Sequence, residues 1–217
     1  MSSVGPIPEA LEAIRRELVW VHARWKMNSQ LFRSGEKRVA LLNAYGGAFF
    51  ASVQRTLVDD LVLGISRLLD PASMRAKTNH TLESLLTIIP SGSSSDQRAL
   101  LAAELVLLRE SCAPLLVHRN KRVAHRDAQV ILSPSENPLP GLSYELLDQA
   151  LDRVTAWVNG VERTACGSSM MYREFAFQAG GDANAVVYAL KKAAVLDAQY
   201  DPHEARRLVE DSEYGNA

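Results

Sequence analysis

Apolar residues recur at steps of three and four along most of the chain, and strict alternation is scarce. That period is the mark of helices with one buried face. Leu11, Ile14, Leu18, Val21 and Trp25 predict a helix from Glu9 to about Phe32, ended by Ser34-Gly35. Leu42, Tyr45, Phe49, Val53, Leu57, Leu61, Ile65 and Leu68 predict a second from about Glu36 to Leu69. It would extend roughly 50 Å. Gly46-Gly47 lies inside it and predicts a kink or a close backbone approach. Asp70-Pro71 stops it.

Residues 71–80 read as a polar loop. Thr81-Leu82-Glu83-Ser84 opens a short helix to Ile89, closed by Pro90, and the serine-rich stretch 91–95 follows. Asp96 to about Lys121 is helical again through Leu100, Leu101, Leu105, Leu108, Cys112, Leu115 and Leu116. Pro114 should kink or divide it. After the Pro-rich loop 133–141, Ser143 caps a helix from Tyr144 to about Ala165, with Leu147, Leu151, Val154 and Val158 inward. Asp182 caps a helix through Leu196, and Asp201-Pro202 opens a last one to about Asp211. The pattern predicts an all-α fold: an antiparallel bundle of four to five main helices over 8–166, with a C-terminal helical extension over 167–217. The extension is too short to bury much core alone.

Composition narrows the class. Of 217 residues, 47 % are hydrophobic and 23 % charged, a globular balance. Lys and Arg number 24 against 25 Asp and Glu, so any contact with nucleic acid must be a local patch. Two cysteines, Cys112 and Cys166, are too few for a zinc site or a disulfide framework. No leader pattern or membrane span is legible, which predicts a cytoplasmic protein with no membrane partner.

One segment breaks the neutrality: His118-Arg119-Asn120-Lys121-Arg122-Val123-Ala124-His125-Arg126-Asp127. Four cations oppose only Asp127, and a phosphate would be attracted there. A basic run at a helix end is also what the helix dipole favours, so a solvated face is the bland alternative. His118, Arg122 and His125 would share one face of a helix. Arg119 and His125 are six apart, about 240° of rotation and ~9 Å of rise, and would not converge on one straight helix.

The order Arg119-Asn120-Lys121-Arg122-Val123-Ala124-His125-Arg126-Asp127 resembles the signature of the HEPN superfamily, an Arg, four to six residues, then His. The branch it is most similar to is the abortive-infection group of phage-defence HEPN proteins, with its "RNK–two residues–AH–x–D" run. Phe49-Phe50, the run Leu61 to Asp70, and Leu82 to Leu86 resemble the same group, so the likeness covers roughly residues 20–165.

The resemblance implies a helical bundle that forms a homodimer, with the Arg–His helices of two subunits meeting in a cleft. Such pairing would also bring one subunit's Arg to the other's His. It implies a metal-independent endoribonuclease, acting as a toxin or phage-defence effector without a cofactor. Carried over by position, Arg119 and His125 are the catalytic pair and Asn120 the polar position beside them. RNA supplies the 2′-hydroxyl nucleophile, His125 exchanges protons near neutral pH, and Arg119 stabilises the phosphate. His118, Lys121, Arg122 and Arg126 would guide the RNA backbone, and Asp127 would support a basic side chain. An antitoxin protein is a further expected partner. The alternative is a HEPN-like bundle that binds RNA, nucleotide or a partner without catalysis.

Other resemblances fail on the residues. His125-Arg126-Asp127 matches the start of a kinase catalytic loop, but no Asn follows at the required position and no Gly-rich loop precedes it. His118 and Lys121 suggest a phosphotransfer histidine, but Arg122 stands where Gly is wanted. Trp20, Trp25 and Trp157 read as core or interface anchors, and Asp59-Asp60 as a solvated face or an ion pair.

Overall fold

The computed structural model describes residues 8–74, 77–89, 95–124, 127–133, 135–174, 176–178 and 180–212. Among them the fold is all-α, with one two-residue β-ladder. Helix α1 spans Glu9–Phe32 and α2 Glu36–Leu69. The ladder pairs β1 (Ser73–Met74) with β2 (Lys77–Thr78), antiparallel, where the sequence predicts only loop. Then come α3 (Leu82–Leu85), α4 (Ser95–Ser111), α5 (Ala113–His118), α6 (Ala128–Leu132), α7 (Tyr144–Cys166), α8 (Ala183–Gln199) and α9 (Pro202–Glu210). No helix among the described residues is long and apolar enough to cross a membrane.

The predicted punctuation is where the chain turns. Ser143 accepts from the Leu146 amide at the start of α7, and Gly167 closes that helix with φ +66°, a left-handed value that favours glycine. Pro114 sits in the first turn of α5, so its missing N–H leaves no gap in the helix, and α4 and α5 are separate. Gly46 is the one non-helical residue inside α2. That break carries a correction. Tyr45 and Phe49 are exposed, while Leu42 and Phe50 are buried, because a kink destroys the single stripe a straight helix would carry.

The chain divides into two compact units, the first comprising Met1–Trp25 and Thr56–Phe175. Its core joins Leu11, Leu18 and Val21 of α1, Leu61, Ile65 and Leu68 of α2, Leu105 of α4, Leu115 of α5, and Val154 and Val158 of α7. Helix α4 packs along α7. Buried Trp157 donates its Nε1–H to the Leu101 carbonyl at 2.8 Å, and Trp25 donates to Asp148 at 2.6 Å. Buried His22 of α1 meets Thr155 Oγ1 at 2.8 Å. Trp20 is exposed and anchors no core, and Leu100 lies outside the core that its neighbour Leu101 joins.

Buried Glu162 of α7 accepts from Arg15 Nε of α1 at 2.8 Å and from Tyr172 Oη at 2.5 Å. A fully buried carboxylate needs such donors to stay in the core.

The second unit comprises Lys26–Arg55 and Ala176–Ala217. This differs from the expected extension over 167–217, since the C-terminal helices group with the start of α2 and the end of α1. Gln30 supplies the reason. Its Nε2 donates to Asp182 at 2.7 Å, and its Oε1 accepts from the Ala183 amide at 3.2 Å, so it helps cap α8. Arg38 donates to Asn184 at 2.8 Å, and Tyr45 donates to Asp197.

Candidate functional site

The basic segment begins where α5 ends. Residues Arg119–Val123 form a π-turn, closed by the Ala124 amide donating to the Arg119 carbonyl at 2.8 Å. The ring closes at the fifth residue and not the fourth, so the straight-helix projection does not hold past Arg119. Turns of this kind are rare and often occur at functional sites. The Asp127 amide donates back to the Lys121 carbonyl at 3.1 Å. Its carboxylate accepts from the Gln129 and Val130 amides at 3.0 and 3.2 Å, capping α6. Asp127 therefore supports a helix start, where the sequence suggested support for a cation.

Arg119 Nη2 donates to Asp70 Oδ2 at 2.5 Å, and Nη1 to Asn120 Oδ1 at 2.8 Å. Arg122 Nη2 donates to Asp59 Oδ1 at 2.5 Å. Arg24 of α1 donates to Asp60 at 3.0 Å. Asp59, Asp60 and Asp70 thus face three arginines, and the ion-pair reading of Asp59-Asp60 holds. The segment is far less positive in space than along the sequence. Lys121 is half-buried and, among the described residues, has no carboxylate partner.

His118 does not belong with the expected RNA contacts. It is 7 % exposed, and its Nε2 lies 2.7 Å from the Pro140 carbonyl. The ring is held inside the fold against Pro140, away from the surface where an RNA backbone would pass. His125 and Arg126 lie outside the described residues. The structure thus brings together Arg119, Asn120, Lys121 and Arg122, with Asp70 and Asp59 added.

Asp70 itself is fixed by a clamp. Arg109 of α4 donates from Nε to the Leu69 carbonyl at 2.9 Å and from Nη2 to the Asp70 carbonyl at 3.3 Å. A guanidinium at the C-terminus of α2 satisfies carbonyls that have no intrahelical partner. Arg109 Nη2 also reaches Glu83 Oε2 at 3.0 Å, which accepts the Ala72 amide at 3.0 Å. The Ala72 N–H, then Arg109, holds the Glu83 carboxyl below its usual range. One signal for Asp70 is present in the sequence: it closes the Leu61–Asp70 run that carries the resemblance.

A family of HEPN proteins described as AbiU2 matches residues 6–186. The chain belongs to the AbiU2 family of HEPN domains. The match covers the π-turn, the Asp70 clamp and the whole of the first unit's core, and it supports an abortive-infection HEPN domain. Comparison with curated proteins and with solved structures found no match. Most of α8 and all of α9 lie past the AbiU2 match, and they leave Val195, Leu196, Leu208 and Val209 exposed. Among the described residues of this AbiU2-family chain, no group of three or more His, Cys, Asp or Glu is placed to hold a metal ion.

Proposed function

We propose that this AbiU2-family protein is an endoribonuclease, with Arg119, His125 and Asn120 as its site and with a toxin or phage-defence role. The observation that carries the reading is Arg119. It begins a π-turn with its partly exposed guanidinium held by Asp70 and Asn120, where a phosphate can still reach it. His125 enters from the Arg–His motif alone.

The chemistry follows from these residue types. His125 takes the proton of the RNA 2′-hydroxyl, whose oxygen attacks the adjacent phosphorus. The P–O bond to the 5′-oxygen breaks, and that oxygen receives a proton. The products are a 2′,3′-cyclic phosphate and a 5′-hydroxyl. Arg119 stabilises the charge that builds on the phosphate oxygens. Among the described residues Lys121 is the remaining cation for steering the RNA backbone, and Arg126 joins it from the motif alone. No step calls on a metal or cofactor.

We further propose a homodimer in the cytoplasm. Support comes from α4 and α7. Leu100 and Leu107 are exposed on α4, and beside them Glu104, Arg153 and Arg163 carry charges of both signs with no ion pair among the described residues. A patch with both signs and an apolar centre can pair with its own copy. An antitoxin partner is expected on family grounds.

The test is cleavage of RNA in EDTA by the wild type, His125→Ala and Arg119→Ala, with product ends read for cyclic phosphate. Activity lost in both variants while the dimer persists supports the reading. A second reading, a bundle that binds RNA or a partner without cutting, is favoured by the carboxylates that neutralise Arg119 and Arg122. Intact RNA with the wild type selects it.

A further inference from the structure

We propose that Asp70 is a positioning residue for Arg119, and that the Arg109–Glu83 clamp fixes Asp70 for that purpose. The inference rests on the reading of Arg119 as the phosphate-binding group of the site.

The two side chains are mostly enclosed, 24 % and 21 % exposed. A guanidinium has five N–H donors in a rigid fork. Asp70 takes one from Nη2 and Asn120 one from Nη1, which leaves three to offer a phosphate. A free arginine samples many rotamers and must be ordered when substrate arrives. Here the ordering is done beforehand.

The carboxylate is no casual surface partner. The main chain of Asp70 is gripped by Arg109, and Arg109 is gripped by Glu83, which also holds the Ala72 amide. Three elements, α2, α3 and α4, thus converge on the residue that aims Arg119. Arg122 has a carboxylate too, but Asp59 lies in mid-helix, and no side chain described here grips its backbone. The extra support is spent on Asp70.

Two readouts test this, one free of activity. In low-temperature ¹H–¹⁵N spectra the Arg119 Nη–H signals, assigned by their loss in Arg119→Lys, should be sharp and slowly exchanging in the wild type. They should broaden or vanish in Asp70→Ala and survive in Asp70→Glu. In single-turnover cleavage, Asp70→Ala should be slower by about 10- to 100-fold, with apparent substrate affinity within about threefold. Asp70→Ala/Arg119→Ala should be no slower than Arg119→Ala alone, because Asp70 acts only through Arg119.

An unchanged Arg119 signal in Asp70→Ala overturns the proposal. So does a double variant slower by the full product of the single losses, since that marks a general structural role. Full activity in Arg119→Ala, or a wild type that cuts no RNA, overturns the nuclease reading instead. The spectra then still decide whether Asp70 orders Arg119.

Discussion

Gly64 of α2 is buried against Val21 of α1, and a methyl group placed on it would lie 2.8 Å from Val21 Cγ2. Carbon atoms prefer a separation of roughly 3.5–4.0 Å, so about 1 Å of overlap must be relieved by moving a helix or a rotamer. Overpacking of this kind costs about 1–3 kcal/mol. Against it stands the better helix propensity of alanine, about 0.8–1.0 kcal/mol over glycine. Gly64→Ala should therefore destabilise the first unit by about 0–2 kcal/mol. Val21→Ala removes the obstructing methyl. In that background the same Gly64→Ala should stabilise by about 1 kcal/mol, so the sign inverts. All three tryptophans, Trp20, Trp25 and Trp157, belong to the first unit, so urea titration followed by their fluorescence reports its unfolding without the second. Equal effects of Gly64→Ala in both backgrounds would refute the close-approach argument, and so would stabilisation in the wild type.

Three further outcomes are expected. Burial, then the charge of Arg173, lowers the His22 pKa to about 4 from 6.5. The unfolded chain binds the proton more readily, so this stability is whole above about pH 6.5 and falls as pH drops toward 4. It amounts to about 3 kcal/mol at most, and His22→Gln should flatten that slope in pH-dependent denaturation. Glu162→Leu should cost about 3–5 kcal/mol by stranding Arg15, and Arg15→Met/Glu162→Leu should recover most of it in the same titration. Asp127→Ala should cost about 1 kcal/mol and speed hydrogen exchange at the Gln129 and Val130 amides, which lose their cap.

Much of the fold was legible because its signals are local. Ser143, Pro114, Gly46, Asp182 and Asp201 each act on the backbone within a few residues, and the helices begin, break or end where they stand. Helix α6 was missed because five residues carry no period. The exposure of Phe49 and Leu100 was missed because an apolar stripe states only what could be buried. At the site, the motif singles out Arg119 and Asn120, whose side chains hydrogen-bond to each other. It could not show that His118 turns inward, since that depends on a carbonyl twenty-two residues away. Nor could it show the neutralising carboxylates Asp70 and Asp59, which are forty-nine and sixty-three positions from their arginines. Charge counted along a chain is blind to such pairing.

Tyr172 sits six residues beyond the end of α7, yet it is almost wholly buried and donates, beside Arg15, to Glu162 Oε1. This bears on where the protein can be cut. A chain stopped at Cys166 would look complete by its helices. It would nonetheless carry a hole the size of a tyrosine, and a carboxylate in that hole with one donor fewer. The smallest separable piece is therefore set by the closure of a buried charge and not by the last turn of a helix. Ending the chain at Cys166 should cost more stability in a urea titration than ending it after Glu174, since both lose the C-terminal helices and only the first loses Tyr172.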